Sequence, residues 1–420
     1  MSDIAFFILL LFLFAVLLRL DFAFYIIYVL FGVYALGWWG TRRGLSAVST
    51  RRLFTDHAFL GEQVRVTLEI GNRSWLPLPW VRINETVPVM LRTVDTLREV
   101  VTLKPKETVA IHYDLDCVKR GYYPLGPTHL MAGDLFGFAE VEARGSQVDH
   151  LTVYPHIIPL TELGLPSRLP FGTIRSQQRL FEDPARLAGL RDYQWGDSLR
   201  RIHWKASAHA DALLVKKVEP AISLETMILL NLNQEEYTRE WRLPASEWAI
   251  VVAASVANHL IGQRQAVGLG TNGLDPLGTE AAQVGVLPHQ ESGRVLVNGS
   301  PPTLLPRPGR GHLMKLLEVL ARVELHETIP FVAWLPQAVL SLGWGTTVIA
   351  ITPAGDETTC RALHRLYRTG FNVILLVVEP TAQIHQVRER ARQLGLTAYA
   401  VSREQDLERW QAQARSGRRR

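Results

Sequence analysis

Asp197 and His203 lie six residues apart in a stretch rich in arginine. A carboxylate near an imidazole can do general acid–base work, and an enzyme acting on an envelope precursor is one reading of the pair. No nucleophile or metal set accompanies them. His203, His209 and Asp211 are metal-ligand types, but their spacing matches no known site. The surrounding cations offer different chemistry. Guanidinium forks suit carboxylates and phosphates, and Arg191, Arg200, Arg201 and Lys205 stand close together, with Tyr193 and Trp204 between them. Seven arginines and lysines face three aspartates between residues 186 and 217. The segment therefore reads as a docking surface, or as an internal ion-pair network that locks it in place.

Other patterns carry less. His112, Asp114 and Asp116 share one face of a strand, and their alternation with apolar residues explains them as its wet side. Gly268, Gly270 and Gly273 spell G-x-G-x-x-G, but Asp275-Pro276 follows where a dinucleotide site needs a helix. This reads as a plain glycine loop. G-x-x-x-x-G-K-[ST], H-E-x-x-H and G-x-S-x-G are all missing from the sequence. It thus shows no familiar route to nucleotide, zinc-dependent or serine hydrolysis.

The elements around these residues come from periodicity. Ile4–Leu18 and Phe22–Trp39 are apolar runs of fifteen and eighteen residues, separated by Arg19 and Asp21. They read as a transmembrane helical hairpin. Arg42, Arg43, Arg51 and Arg52 follow it, which keeps the bulk of the chain cytoplasmic by the positive-inside bias. Trp38 and Trp39 fall where an aromatic belt would sit. From 45 to 158 the chain alternates, as in Val64, Val66, Leu68 and Ile70 against Arg65, Thr67 and Glu69. Frequent turn residues suggest short strands in an all-β, immunoglobulin-like sandwich. In the signature segment, Gly196 permits a turn and Asp197 would cap a short helix over 198–209. From 223 to 412, strands such as Met227–Leu232, Thr346–Thr352 and Phe371–Val378 alternate with helices. Ser246 and Asp356 stand as N-caps and Gly370 as a stop. That order argues an α/β domain with a parallel sheet covered on both faces. A basic tail, 413–420, ends the chain.

Composition bounds the rest. The chain has 420 residues, a net charge of +5, and two cysteines, Cys117 and Cys360. Long disorder and a disulfide scaffold are both excluded. The basic tail reads as a solvated or membrane-surface end, so anionic-lipid binding is a third functional reading; nucleic acid is not expected as a partner.

The segment from 191 to 209 resembles the signature of the bacterial family called domain of unknown function 58, R-x-Y-x-x-G-D-x-x-R-x-I-x-W-x-x-S-A-R. Arg191, Tyr193, Gly196, Asp197, Arg200, Ile202, Trp204, Ser207 and Ala208 match it, and His209 replaces its final arginine. Arg120-Gly-Tyr-Tyr-Pro-Leu-Gly-Pro127 and Gly133-Asp-Leu-Phe-Gly137 are similar to its upstream motifs. The resemblance implies a von Willebrand factor A-like fold for 223–412, with 159–222 packed on it. It also implies a degenerate metal site at Asn231, Asn233 and Glu235, so no metal or other cofactor is expected. The implied partner is a MoxR-type AAA+ ATPase. The expected role is a non-catalytic, multi-pass membrane platform for protein–protein interaction, of undetermined oligomeric state.

Overall fold

The computed structural model describes residues 21–91, 98–135, 140–160, 182–194, 202–210, 212–220, 225–277, 302–380 and 383–407, with Phe6, Phe12 and Gly137. The basic tail, the stretch 283–297 and most of the first apolar run lie outside these residues. The chain divides into two compact units. One is Met1–His156 with Leu317–Val323, and the other is Ile157–Leu316 with Glu324–Arg420.

The first unit opens with helix α1 (Asp21–Ser46). Its apolar run contains no proline and ends at Arg42, Arg43 and Gly44. The Ser46 hydroxyl then donates to the Arg43 carbonyl at 2.9 Å. Over Phe24–Ser46 it is the one helix among the described residues long and apolar enough to cross a bilayer. The first arm of the expected hairpin lies largely outside the described residues, which hold this one candidate span. Of the first run, Phe6 and Phe12 are described, and the Phe12 ring meets Phe24 edge-on at 6.0 Å.

Ten strands follow. They are β1 (Val48–Leu53), β2 (His57–Phe59), β3 (Gln63–Asn72), β4 (Leu78–Asn84), β5 (Arg98–Leu103), β6 (Thr108–Asp116), β7 (Gly121–Leu125), β8 (His129–Gly133), β9 (Glu140–Arg144) and β10 (Asp149–Tyr154). They form sheets β1-β3-β6, β2-β10-β7 and β5-β4-β8-β9. Leu68, Ile70 and Ile111 from the first sheet pack with Val81, Ile83 and Leu130 from the third, and with Leu45 of α1. A second cluster joins Val64, Val66 and Leu115 to Leu125, Leu151 and Val153. These are the alternating residues of the sequence, so the expected all-β sandwich stands. Its wet face is cross-linked. Arg65 donates to Asp114 at 2.9 Å, Gln63 to Asp116 at 2.8 Å, and Thr67 lies 3.0 Å from His112. His112, Asp114 and Asp116 are thus spent on cross-strand pairs.

Arg52 is a correction. It does not belong to the basic collar of the helix but is buried inside the sandwich. Its Nε donates to Glu85 at 2.7 Å, Nη1 to Asp149 at 3.0 Å, and Nη2 to the Thr128 hydroxyl at 2.8 Å. That hydroxyl donates to the other oxygen of Glu85 at 2.8 Å. Burial works to lower the Arg52 pKa, and the Glu85 charge with the bonds to Asp149 and Glu85 outweighs it, so the net shift is upward.

The second unit contains the pair β11 (Glu182–Asp192) and β12 (Leu214–Pro220), with helix α2 (Trp204–Ala210) in their connection. A six-stranded sheet follows: β13 (Glu225–Leu230), β14 (Ala266–Thr271), β15 (Thr303–Arg307), β16 (Thr347–Thr352), β17 (Asn372–Val377) and β18 (Thr397–Ala400). The order is β15-β14-β13-β16-β17-β18, parallel except for β15 at the edge. Helices α3 (Arg242–Gly262), α4 (Arg310–Arg322), α5 (Phe331–Val339), α6 (Glu357–Arg368) and α7 (Ile384–Gln393) connect the strands. This is the expected α/β arrangement.

Local details differ from the sequence reading. Helix α3 begins at Arg242, and Ser246 lies inside it, its hydroxyl bonded to the Leu243 carbonyl at 3.1 Å. Pro244 is tolerated because it falls in the first turn. Gly268 and Gly270 are strand residues of β14, not a loop. A Cβ at Gly268 would lie 2.7 Å from both the Leu304 carbonyl and the Met227 sulfur. These glycines are thus required for packing.

Candidate functional site

The signature segment is partly visible. Gly196, Asp197, Arg200 and Arg201 lie outside the described residues, as does the Arg191 side chain. The expected helix over 198–209 is corrected, because Ile202 bridges to Val215 as extended chain and the helix starts at Trp204. His203 caps this helix: the Ala206 N–H donates to His203 Nδ1 at 3.0 Å. Ser207 is buried and accepts from the Leu214 N–H at 2.9 Å, tying the helix to β12. The Tyr193 N–H donates to the Leu213 carbonyl at 2.8 Å. Trp204 and Lys205 are exposed, facing outward from this braced turn.

The upstream motif residue Arg120 is buried in the first unit. Its Nη1 donates to the carbonyls of Leu320, Ala321 and Val323 at 2.9, 3.0 and 2.9 Å. Carbonyls at the end of a helix have no intrahelical donors, so a cation there satisfies both hydrogen bonding and the dipole.

The second cluster lies at the carboxyl ends of β13 and β16. Strand order reverses there, because the chain leaves β13 for β14 on one side and later returns to β16 on the other. Open α/β sheets place their ligands in this crevice. Here it is filled from within. Asn231 and Asn233 are fully buried. The Asn231 amide donates to Glu236 Oε2 at 2.7 Å and the Asn233 amide to Oε1 at 3.3 Å, while the Phe331 N–H reaches the same Oε1 at 2.7 Å. Asn272 donates to Asn231 Oδ1 at 3.1 Å and to the Ile329 carbonyl at 3.0 Å, and accepts from the Leu232 N–H at 2.7 Å. The Tyr237 hydroxyl donates to the Asn231 carbonyl at 2.7 Å. Burial, followed by the charges of Glu379 and Glu236, pushes the Tyr237 hydroxyl well above its usual pKa. Burial also raises the Glu379 carboxyl, against the Thr238 N–H that bonds it.

Glu236 is therefore the carboxylate of this knot. Glu235, chosen from the sequence, is exposed. The donor set does not fit a metal: Asn231 Oδ1 also accepts from the Asn233 N–H, and Asn233 Oδ1 from the N–H groups of Glu235 and Thr328. Among the described residues, no three His, Cys, Asp or Glu side chains are grouped for metal binding. Sequence reading missed Asn272, Tyr237 and Glu236. The only available signal was that each lies within a few residues of a strand's carboxyl end.

Fold and crevice together define a chain with an apolar N-terminal helix, an all-β sandwich and a doubly wound α/β unit. Its residues 189–277 match the model of the family described as Protein of unknown function DUF58. The chain is 22% identical over 229 residues to the uncharacterized protein YeaD of Bacillus subtilis (strain 168), a match that covers 54% of this chain and 56% of that relative. Among solved structures, the CARDB domain of the PF1109 protein from Pyrococcus furiosus is 14% identical, covering 25% of this chain and 86% of its own, at a TM-score of 0.20. Alpha-2-macroglobulin from Escherichia coli is 13% identical, covering 37% of this chain and 9% of its own, at 0.23.

Proposed function

We propose that this chain is a membrane-anchored interaction protein with no catalysis of its own. Its α/β unit is of the von Willebrand factor A-like kind, and a MoxR-type AAA+ ATPase is its partner in assembling or activating other complexes. The observation that carries this reading is the Asn231–Glu236 knot. The crevice where such sheets hold a reactive ligand is occupied by the chain's own amides and carboxylate. Strand order supports the fold assignment, since in chain order the sheet runs 3-2-1-4-5-6 with the third strand antiparallel. The outward-facing Trp204 and Lys205, braced by His203 and Ser207, offer a docking edge. Helix α1 is the anchor, and Arg42 and Arg43 at its end keep the bulk on the cytoplasmic side.

Affinity purification of the full chain from solubilised membranes tests the partnership. A MoxR-type ATPase is expected to enrich, and to be lost with Trp204→Ala and Lys205→Glu. A chain that never enriches such an ATPase has a different partner. Turnover of a small substrate by the purified chain would overturn the non-catalytic reading.

A further inference from the structure

We propose that the wet face of the sheet β1-β3-β6 carries a binding groove for a phosphate-bearing ligand, formed by Arg51, Arg73 and Lys106 around Gly71.

The strand register builds the groove. Alternation puts Arg65, Thr67, Glu69 and Gly71 of β3 on one face. The first two are crossed by partners on β6, Arg65 by Asp114 and Thr67 by His112. At Gly71 the row of paired side chains breaks, because this residue stands between Ser49 of β1 and Thr108 of β6 with no side chain of its own. A Cβ there would lie 3.2 Å from Thr108 Oγ1 and 3.3 Å from Ser49 Oγ. The glycine thus leaves an open floor with a hydroxyl on either side. A groove of about 750 Å³ lies over it, within the size range of small-molecule sites.

The charge of the lining selects the ligand. Arg51, Arg73 and Lys106 face one acid, Glu69. Glu69 stands opposite Arg51 in the register, yet among the described residues none of the three cations forms an ion pair. Arg65, on the same face, spends its guanidinium on Asp114. A lining of +3 − 1 = +2 matches a phosphate monoester, which carries about −1.5 to −2 at neutral pH, better than it matches a single carboxylate. Guanidinium forks and hydroxyl donors suit its terminal oxygens.

Lys106 adds an independent mark. Its φ is +59°, a left-handed conformation that costs a lysine free energy and a glycine almost none. The turn that holds it is fixed. The Lys106 N–H donates to the Ser74 carbonyl at 3.3 Å, and the Glu107 N–H to the Lys104 carbonyl at 3.2 Å. The Glu107 carboxylate accepts from the Lys104 N–H at 2.8 Å. Arg73 is anchored through its main chain, its N–H donating to the Ala47 carbonyl at 3.1 Å. A cation is therefore kept where folding alone would favour glycine. The groove is larger than one phosphate group, so the phosphate belongs to a larger molecule. A soluble phosphate ester and a lipid headgroup share this chemistry.

Two probes separate those sources on the full chain. Isothermal titration with glycerol 3-phosphate, in phosphatidylcholine nanodiscs, reads the soluble one. Native mass spectrometry of the detergent-solubilised chain, with phosphatidic acid against phosphatidylcholine, reads the headgroup. The chain is expected to take up a single equivalent of glycerol 3-phosphate or to retain a single phosphatidic acid in preference to phosphatidylcholine. Lys106→Gly should weaken that binding about tenfold or more without lowering Tm, since it removes the charge and relieves the backbone. Arg73→Gln keeps the main-chain bond to Ala47 and should give a similar loss, so the proposal stays testable if Lys106→Gly fails to fold. Binding of neither probe overturns the proposal. Binding left unchanged by the variants that fold also overturns it, because the phosphate then sits elsewhere on the chain.

Discussion

The sandwich and the α/β sheet each bury a polar centre, and they satisfy it by opposite means. In the sandwich, Arg52 meets Glu85 and Asp149, so charge is cancelled by charge. At the sheet crevice, Glu236 meets two side-chain amides and one main-chain N–H, so charge is solvated by dipoles. The first arrangement fails abruptly when one partner is removed, because a bare ion remains in the interior. The second spreads its carboxylate over three donors and can lose one by degrees. A charge-cancelled centre suits a scaffold that only has to persist. A dipole-solvated one closes a position where related architectures keep an opening.

Arg52→Ala tests the comparison most severely. It leaves the fully buried Glu85 uncompensated and should cost about 3–5 kcal/mol in chemical unfolding of the detergent-solubilised chain. A loss no larger than that of an exposed pair would mean that water reaches the centre.

Asn231→Asp replaces the strongest amide donor with a second carboxylate facing Glu236. The loss should be roughly 1–3 kcal/mol, with no recovery of Tm on adding Mg²⁺. Recovery with Mg²⁺ would show that the crevice is one residue from a cation site and would weaken the contrast.

Asp356 supplies the baseline of an exposed carboxylate. It caps α6, accepting from the Thr359 N–H at 3.1 Å. Burial tends to raise its pKa, but the bonds from Thr358 and Thr359 win and lower it. A carboxyl lowered on folding adds stability above its unfolded pKa and loses it as pH falls through the folded one. Asp356→Ala should therefore cost about 1 kcal/mol at neutral pH, and this difference should fade below about pH 4.

Glu379 has the opposite sign and the smallest effect. Its raised carboxyl adds stability at pH below its unfolded value and loses it as pH rises through the folded one. Glu379→Gln keeps an acceptor for the Thr238 N–H and should gain a few tenths of a kcal/mol above about pH 5, and nothing below about pH 4. Paired unfolding curves at the two pH values measure it.

Legibility followed the same divide. Alternation in Val64–Ile70 and the caps at Asp356 and Gly370 were readable because they are local: a period of two, an N-cap oxygen, a left-handed stop. Helix α5 was not, because it lacks such local marks: Pro330 precedes it and Pro336 lies within it, and proline ordinarily interrupts a helix. Arg52 was misassigned and Glu236 was missed for a related reason. Whether an ionised side chain faces water or the interior depends on partners tens of residues away: Glu85 lies 33 positions from Arg52, and Phe331 lies 95 from Glu236. The helix that starts at Trp204 was not legible either: its cap is the imidazole at 203, and Ile202 before it is drawn into a bridge with Val215.

The placement of the two sulfur atoms has one further consequence. Burial, then the nearby Glu62 and Asp116, pushes the Cys117 thiol up to about 11, and burial raises Cys360 as well. At pH 7 the reactive anion of Cys117 is then only about one part in ten thousand. Oxidants and thiol buffers have almost nothing to act on, so the chain should tolerate shifts in cellular redox state without changing its covalent form.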